Sequence, residues 1–254
     1  MPANTILVVE DNEELRKFLC VELATAYQVL EAANGAEGIM QAQRHVPDLI
    51  ISDVMMPHTD GLVMLQTLKS NTLTSHIPVI LLTAKASFES KIKGLELGSD
   101  DYLAKPFSPK ELLLRVKNKL SQRDHLREML KQKLALPQVV IEPSAIVTNS
   151  MDEVFLQQAL AVVEAHMDNV EFDVTIFCQE MGMSRSNLHK KLKALANLST
   201  TAFIRQIRLK RAASLLKQKS GRVDEIASQV GFNDTPYFSR CFKKQFGVSP
   251  KEYC

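Results

Sequence analysis

The chain has 254 residues, 45% of them hydrophobic and 24% charged, with a formal net charge of +2, which predicts one or two globular domains with sizeable cores. No apolar run approaches the length of a membrane span, and no secretory leader pattern opens the chain. The four cysteines, Cys20, Cys178, Cys241 and Cys254, form neither a C-x-x-C pair nor a cluster with histidine; they read as reduced thiols of a cytoplasmic protein, which argues against a disulfide framework and a zinc site.

The charge is unevenly spread. Residues 1–110 carry 9 basic and 14 acidic side chains, residues 111–150 carry 7 and 4, and residues 151–254 carry 15 and 11. Within the last part, 182–250 holds 14 basic and 3 acidic residues. An acidic front and a concentrated basic segment predict different partners, a polyanion for the second.

In chain order, Thr5–Val9 reads as an apolar strand running into Glu10, Asp11 and Asn12. Glu13–Ala26 has apolar residues at helical spacing. Tyr27–Ala32 is a second strand and Gly35–His45 a second helix. Leu49–Ser52 is a third strand, a continuous apolar run that ends in Asp53 with Pro57 four residues on. Gly61–Ser70 is helical, and Ile77–Leu82 is a fourth strand closing at Thr83 and Ala84. Phe88–Leu97 is helical and ended by Gly98. Tyr102 and Leu103 form a short fifth strand before Lys105-Pro106, and Ser108 caps a long helix through about Leu134. This alternation predicts an α/β doubly wound, five-stranded parallel sheet with helices on both faces. Leu136–Ser150, with two prolines and no clean period, predicts a linker.

From Met151 onward the chain reads as all-α and contains an internal repeat. Val174, Phe177, Met181, Gly182 and Met183 recur 49 residues later as Val223, Ile226, Val230, Gly231 and Phe232. At a spacing of 50, Leu188, Leu192, Lys193, Leu198 and Ser199 match Phe238, Phe242, Lys243, Val248 and Ser249. Each copy reads helix, glycine-containing turn, helix, which is the helix-turn-helix pattern whose second helix enters the major groove. Ser184 suits the N-cap of the first reading helix and Pro236 an early position in the second.

The carboxyl ends of the five predicted strands carry Glu10 and Asp11, Asp53, Thr83, and Lys105. In an open α/β sheet those ends lie on one rim, where ligands bind. Three converging carboxylates repel unless a cation neutralises them. An all-oxygen acidic site suits Mg²⁺, which favours a phosphate as an added ligand. Taken singly, each carboxylate is as easily a helix cap and the threonine as easily nothing; their joint occurrence at the right element ends points to a site.

ILVVEDN, LIISDVMMPHTDGL, PVILLTA and DDYLAKPF resemble the receiver domain of two-component response regulators, a flavodoxin-like fold, over residues 4 to about 125. The resemblance implies that Asp53 accepts a phosphoryl group from a histidine kinase. Asp11, Asp53 and the backbone carbonyl of Met55 would hold Mg²⁺, with Glu10 acting through a water. Lys105 and Thr83 would contact the phosphoryl oxygens, Thr83 and Tyr102 would form a switch pair, and Lys105–Pro106 would be cis. The switching surface is expected around Lys91–Val116, where Asp100, Asp101 and Arg115 could pair across a symmetric homodimer or stand as solvated surface charges. The chain would be no enzyme beyond self-phosphotransfer and autodephosphorylation.

RLKRAASLL, IASQVGF, YFSRCFKKQFG and SPKEY resemble AraC/XylS-type DNA-binding domains. The predicted domains are therefore 1–125, a receiver; 126–150, a helical extension and linker; and 151–254, the DNA-binding domain. The resemblance implies a long connecting helix, Thr200–Lys217, and a double-stranded DNA operator. The exposed sides of the two reading helices offer Arg185, Ser186, His189, Lys190 and Lys193, then Thr235, Tyr237, Ser239, Arg240, Lys243 and Lys244. Ser186, His189, Lys190, Thr235, Ser239 and Arg240 are expected at base edges, and Lys193, Lys243 and Lys244 at phosphates.

The expected function is a DNA-binding response regulator of a phosphorelay. One alternative is a Mg²⁺-dependent phosphohydrolase with an aspartate nucleophile. It is disfavoured because Val54 and Met55, which follow Asp53, supply no acid or base. Another is the C-terminal part of a hybrid sensor kinase, whose kinase domain would then be the phosphodonor.

Overall fold

A computed structural model describes residues 4–84, 97–136 and 150–253. The expected helix Phe88–Leu97 and linker Leu136–Ser150 lie almost wholly outside these residues, as do Lys91 and Cys254. Two compact units divide the chain at Asp124 and His125.

The first unit is built on five parallel strands in the order β2-β1-β3-β4-β5: β1 Thr5–Val9, β2 Gln28–Ala32, β3 Leu49–Asp53, β4 Val79–Ala84 and β5 Asp101–Lys105. That is the flavodoxin-like order, with the chain reversing direction across the sheet at β1 and β3. Alternating side chains build two cores. Ile6, Val8, Leu49, Ile51, Ile80 and Leu82 face α1 (Glu13–Ala24) and α4 (Pro109–Ala135). Leu7, Val9, Ile50, Val79 and Leu81 face α2 (Gly35–His45) and α3 (Gly61–Lys69). Both faces are covered, which is why β3 and β4 read as unbroken apolar runs.

The expected doubly wound sheet is present, with boundaries shifted at the strand ends. β4 starts at Val79 rather than Ile77, because Ile77 closes a turn by donating to the Thr74 carbonyl (3.0 Å). β3 includes Asp53, since Asp53 and Leu82 are register partners. β5 extends on both sides of Tyr102 and Leu103 because it pairs along its length with β4. Asn12, Asn34 and Asp60 cap α1, α2 and α3 through side-chain oxygens, each satisfying an amide that the first turn leaves orphaned. Ser108 accepts from the Glu111 amide at the start of α4 (3.1 Å).

The second unit begins at His125. The last turns of α4 supply Leu130 and Leu134 to its first core, with α5 (Ser150–Ala165), α6 (Val174–Glu180), α7 (Arg185–Ala196) and the first half of α8 (Thr200–Lys217). The second half of α8 joins α9 (Val223–Gln229), α10 (Thr235–Phe246) and α11 (Pro250–Tyr253) around a second core. The repeat maps onto these two cores. Phe177 and Ile226, Leu188 and Phe238, and Leu192 and Phe242 are all fully buried. Gly182 (φ 59°) and Gly231 (φ 75°) occupy the left-handed region in the two turns, a conformation that glycine adopts without steric cost. Ser184 caps α7 and Asp234 caps α10, with Pro236 in the first turn of α10.

No helix among the described residues is long and apolar enough to cross a membrane. Cys20, Cys178 and Cys241 are free thiols.

Candidate functional site

The parallel strands bring their carboxyl ends to one rim, and the loops there deliver the charged groups. Glu10 follows β1, Asp53 ends β3 and Lys105 ends β5. One carboxylate oxygen from each of Glu10, Asp11 and Asp53 lies within 4.8 Å of the others. Lys105 Nζ donates to Asp53 Oδ2 (2.8 Å) and to Glu10 Oε2 (2.9 Å). Glu10 is 1% exposed and Asp53 8%, whereas Asp11 faces solvent. A single ammonium thus bonds two of the three clustered carboxylates and offsets one negative charge, and the third carboxylate sits at the open side.

Electrostatics follow from burial. Desolvation pushes the Glu10 carboxyl above its ordinary range; the bond from Lys105 opposes this and the neighbouring Asp53 charge adds to it. Burial alone would depress the Lys105 ammonium, but its bonds to Asp53 and Glu10 more than reverse that, so its pKa is raised.

Close backbone approaches hold the rim in shape. A side chain at Gly61 would place its Cβ 2.1 Å from the Asp53 carbonyl oxygen. Glycine there lets α3 start directly against the end of β3, and the Gly61 amide donates to the Val54 carbonyl (2.9 Å). The Met55 amide lies 3.5 Å from Asp53 Oδ1, and the Met55 side chain is 71% exposed. Arg16, which sequence reasoning passed over, grips the acidic loop. Its guanidinium donates to the Glu10 carbonyl (2.7 Å) and pairs with Glu31 on β2 (3.4 Å). The only signal for it was a basic residue one turn into α1, six residues after Glu10.

Thr83 and Tyr102 stand on the neighbouring strands. Thr83 is 7% exposed and its hydroxyl donates to the Ala84 carbonyl (3.3 Å). The Tyr102 ring packs half-buried against the α2–α3 core, and burial raises its phenol pKa. Lys105–Pro106 is cis. Asp100, Asp101 and Arg115 have ion-pair partners within the chain. Arg115 bonds Asp101 (2.9 Å) and Glu111 (2.8 Å), and Asp100 pairs with Lys69 (2.8 Å). Adjacent placement of β5 and α4 brings the first two together, and the end of α3 supplies Lys69.

The second candidate surface belongs to α7 and α10. Arg185, Ser186, His189 and Lys193 are exposed on α7, and Lys190 is half-buried. On α10, Tyr237, Arg240, Lys243 and Lys244 are exposed, and Thr235 and Ser239 are half-buried. Two basic residues that swelled the charge of this segment are not on the surface. Lys191 is 0% exposed, paired with Asp152 and set over the Phe155 ring. Arg208 is 8% exposed and donates to the carbonyls of Gly231 (2.9 Å) and Asn169 (2.7 Å). The signal for Lys191 was its spacing: three residues after Leu188, it falls on the buried stripe of α7.

Comparison with known proteins gives two family matches: the response regulator receiver domain over residues 6–117 and a helix-turn-helix domain over 177–254. Histidine kinase P4 of Formosa agariphila is 44% identical over 250 residues, 98% of this chain and 18% of the relative. The phosphate regulon transcriptional regulatory protein PhoB of Pseudomonas aeruginosa is 45% identical over 118 residues, 46% of this chain and 52% of the relative. Hybrid signal transduction histidine kinase D of Dictyostelium discoideum is 41% identical over 130 residues, 51% of this chain and 8% of the relative. The chain therefore spans about half the length of the regulator and less than a fifth of either kinase.

Proposed function

Starting from a chain that is a response regulator receiver domain followed by an AraC-type helix-turn-helix domain, we propose that Asp53 accepts a phosphoryl group from a histidine kinase and that this controls transcription through α7 and α10. The observation that carries the reading is the rim itself: Lys105 bridges Asp53 and Glu10, and Asp11 completes a three-carboxylate cluster.

The donor set is all oxygen and doubly anionic after Lys105 is counted, which fits Mg²⁺ better than a softer metal. Glu10, Asp11, Asp53 and the Met55 carbonyl would hold it. When bound, it would offset charge on the oxygens of the transferred group. The chain's own residues do the rest. An Asp53 carboxylate oxygen attacks phosphorus in line, the phosphorus–nitrogen bond of the phosphohistidine breaks, and the leaving imidazole keeps the electron pair and takes a proton. Lys105 already sits within bonding distance of Asp53 and neutralises the incoming oxygens without reorganising. Thr83 and Tyr102 would then respond to the new charge, biasing a surface that has two states. The chain's chemistry is limited to this self-phosphotransfer and to hydrolysis of the product. Lys91–Val116 is proposed as a homodimer face, and a cytoplasmic location follows from the DNA partner.

On the DNA side, Ser186, His189, Lys190, Thr235, Ser239 and Arg240 would approach base edges, Lys193, Lys243 and Lys244 the phosphates, and Arg185 would lie on the same DNA-facing surface. Selection of bound duplexes from a random pool, with a small phosphodonor and Mg²⁺ present, tests the output. Enrichment of a motif with two half-sites, diminished in Asp53→Asn, is expected; a pool with no enriched motif, or the same enrichment in both proteins, would overturn the reading.

The match of both units of this chain to part of a histidine kinase favours a second reading of the donor. On that reading the phosphoryl group comes from a kinase domain of the same polypeptide rather than from a separate protein.

A further inference from the structure

Arg208 on α8 is a buried cation whose bonds are all to neutral groups. Its two terminal nitrogens donate to backbone carbonyls, at Gly231 and Asn169, and its Nε has no hydrogen-bond partner. Among the described residues no carboxylate lies within ion-pairing distance of it, and burial is what displaces its pKa, downward. Removing a guanidinium from water with two carbonyl dipoles and the Phe172 ring (5.9 Å) for partners is costly, and an anion is what would offset it.

The same side chain lines a cavity of about 330 Å³ inside the second unit, walled by Phe172, Ile204, Phe232 and Tyr237, with Arg205 beside them. That volume falls at the lower end of pockets that take small molecules. The glycine of the second turn makes room for the cation: a Cβ at Gly231 would lie 2.6 Å from Arg208 Cζ. The cavity thus sets one buried guanidinium beside the rings of Phe172, Phe232 and Tyr237.

We propose that this cavity is a binding site for a small organic monocarboxylate, its charged end on Arg208 and its apolar body against the rings. The remaining lining argues for a single charge. Asp173 and Asp234 also border the cavity. Their carboxylates already accept backbone amides at the starts of α6 and α10. Set against Arg205 and Arg208, these two fixed negative groups leave the lining without the excess positive charge that a dianion such as phosphate needs, while Arg208, with no carboxylate in ion-pairing distance, still accommodates one carboxylate. Asn233, Asp234 and Tyr237 belong to the turn and first turn of α10, so an occupant rests against the element that sets the second reading helix. The site is independent of Asp53 and its chemistry.

Calorimetric titration of the full chain tests this with 1-naphthoate, benzoate and decanoate, and with the uncharged 1-naphthalenemethanol. One carboxylate per chain is expected, the alcohol binding about tenfold more weakly or worse, as the loss of a charge-assisted hydrogen bond dictates. Arg208→Met should lower carboxylate affinity by about tenfold or more. That variant also loses two carbonyl bonds, so Thr201→Trp provides the second arm. Thr201 lines the cavity from the exposed side of α8, and a bulky ring there blocks entry while leaving Arg208 in place. Failure of all three carboxylates to bind, equal binding of the alcohol, or undiminished binding by Thr201→Trp would each overturn the proposal.

Discussion

Lys191 and Lys105 meet carboxylates in opposite ways. Lys191 is sealed in the core of the second unit, its side chain 0% exposed and its partner Asp152 6%. Lys105 stands at the rim of the first unit, 27% exposed, with Glu10 and Asp53 both bonded to it and Asp11 beside them. The first is an oppositely charged pair enclosed in a packed helical core. The second leaves an excess of negative charge at an opening, which is where a cation and an anionic group can enter together. A buried ion pair is thus by itself no sign of a site; the excess charge and the access are.

The largest effect expected is at Lys191. Lys191→Ala removes the cation paired with the buried Asp152 and should destabilise the second unit by about 3–5 kcal/mol, measured by denaturant unfolding. Lys191→Met with Asp152→Leu should recover most of that loss, because an apolar pair of similar volume needs no desolvation. If Lys191→Ala is neutral, the pair is not buried in solution and the contrast with Lys105 collapses.

The exposed basic residues of the reading helices come next. Arg240→Ala should cost about 1–3 kcal/mol in DNA binding and relax base preference at one position. Lys243→Ala should weaken all sequences evenly and lower the salt slope by about one. Equal behaviour of the two variants would remove the distinction between base and phosphate contacts on α10.

Lys105→Ala should destabilise the metal-free first unit less than Lys191→Ala does the second, by about 1–2 kcal/mol, since the site is partly solvated. Mg²⁺ should then raise the melting temperature more in the variant than in the wild type, because the ion takes over the neutralisation that the ammonium supplied. A smaller Mg²⁺ response in the variant would mean that Lys105 helps to hold the metal.

The smallest effect is a pH dependence at Glu10. Its folded pKa is raised, chiefly by burial. The stability it contributes is therefore fully present below the model-peptide value of 4.5 and lost as pH rises through the folded value. Glu10→Gln should flatten that decline in metal-free denaturation curves; an unchanged slope would show that Glu10 titrates normally.

Much of this was legible beforehand. Five strand ends in a parallel sheet must share a rim, so placing Asp53, Thr83 and Lys105 needed only the strand assignments. The repeat located both turns because Gly182 and Gly231 each carry a positive φ that few other residues adopt. What escaped depends on tertiary neighbours. Arg16 acts through Glu31, on a strand whose alignment with β1 is set by the sheet. Lys191 and Arg208 counted as surface charge because composition does not record which face of a helix is buried. The contact of Arg115 with Asp101 within the chain also escaped, because residues fourteen apart in sequence meet only through the packing of α4 on β5.

The account turns on Asp53 as the acceptor. Incubating the chain with acetyl phosphate and Mg²⁺ and locating the modified residue by mass spectrometry tests it most directly. An acid-stable, base-labile phosphoryl group on the peptide containing Asp53, absent from Asp53→Ala and abolished by chelation, is the predicted result. Equal labelling of Asp53→Ala, or no labelling of the wild type, would contradict it.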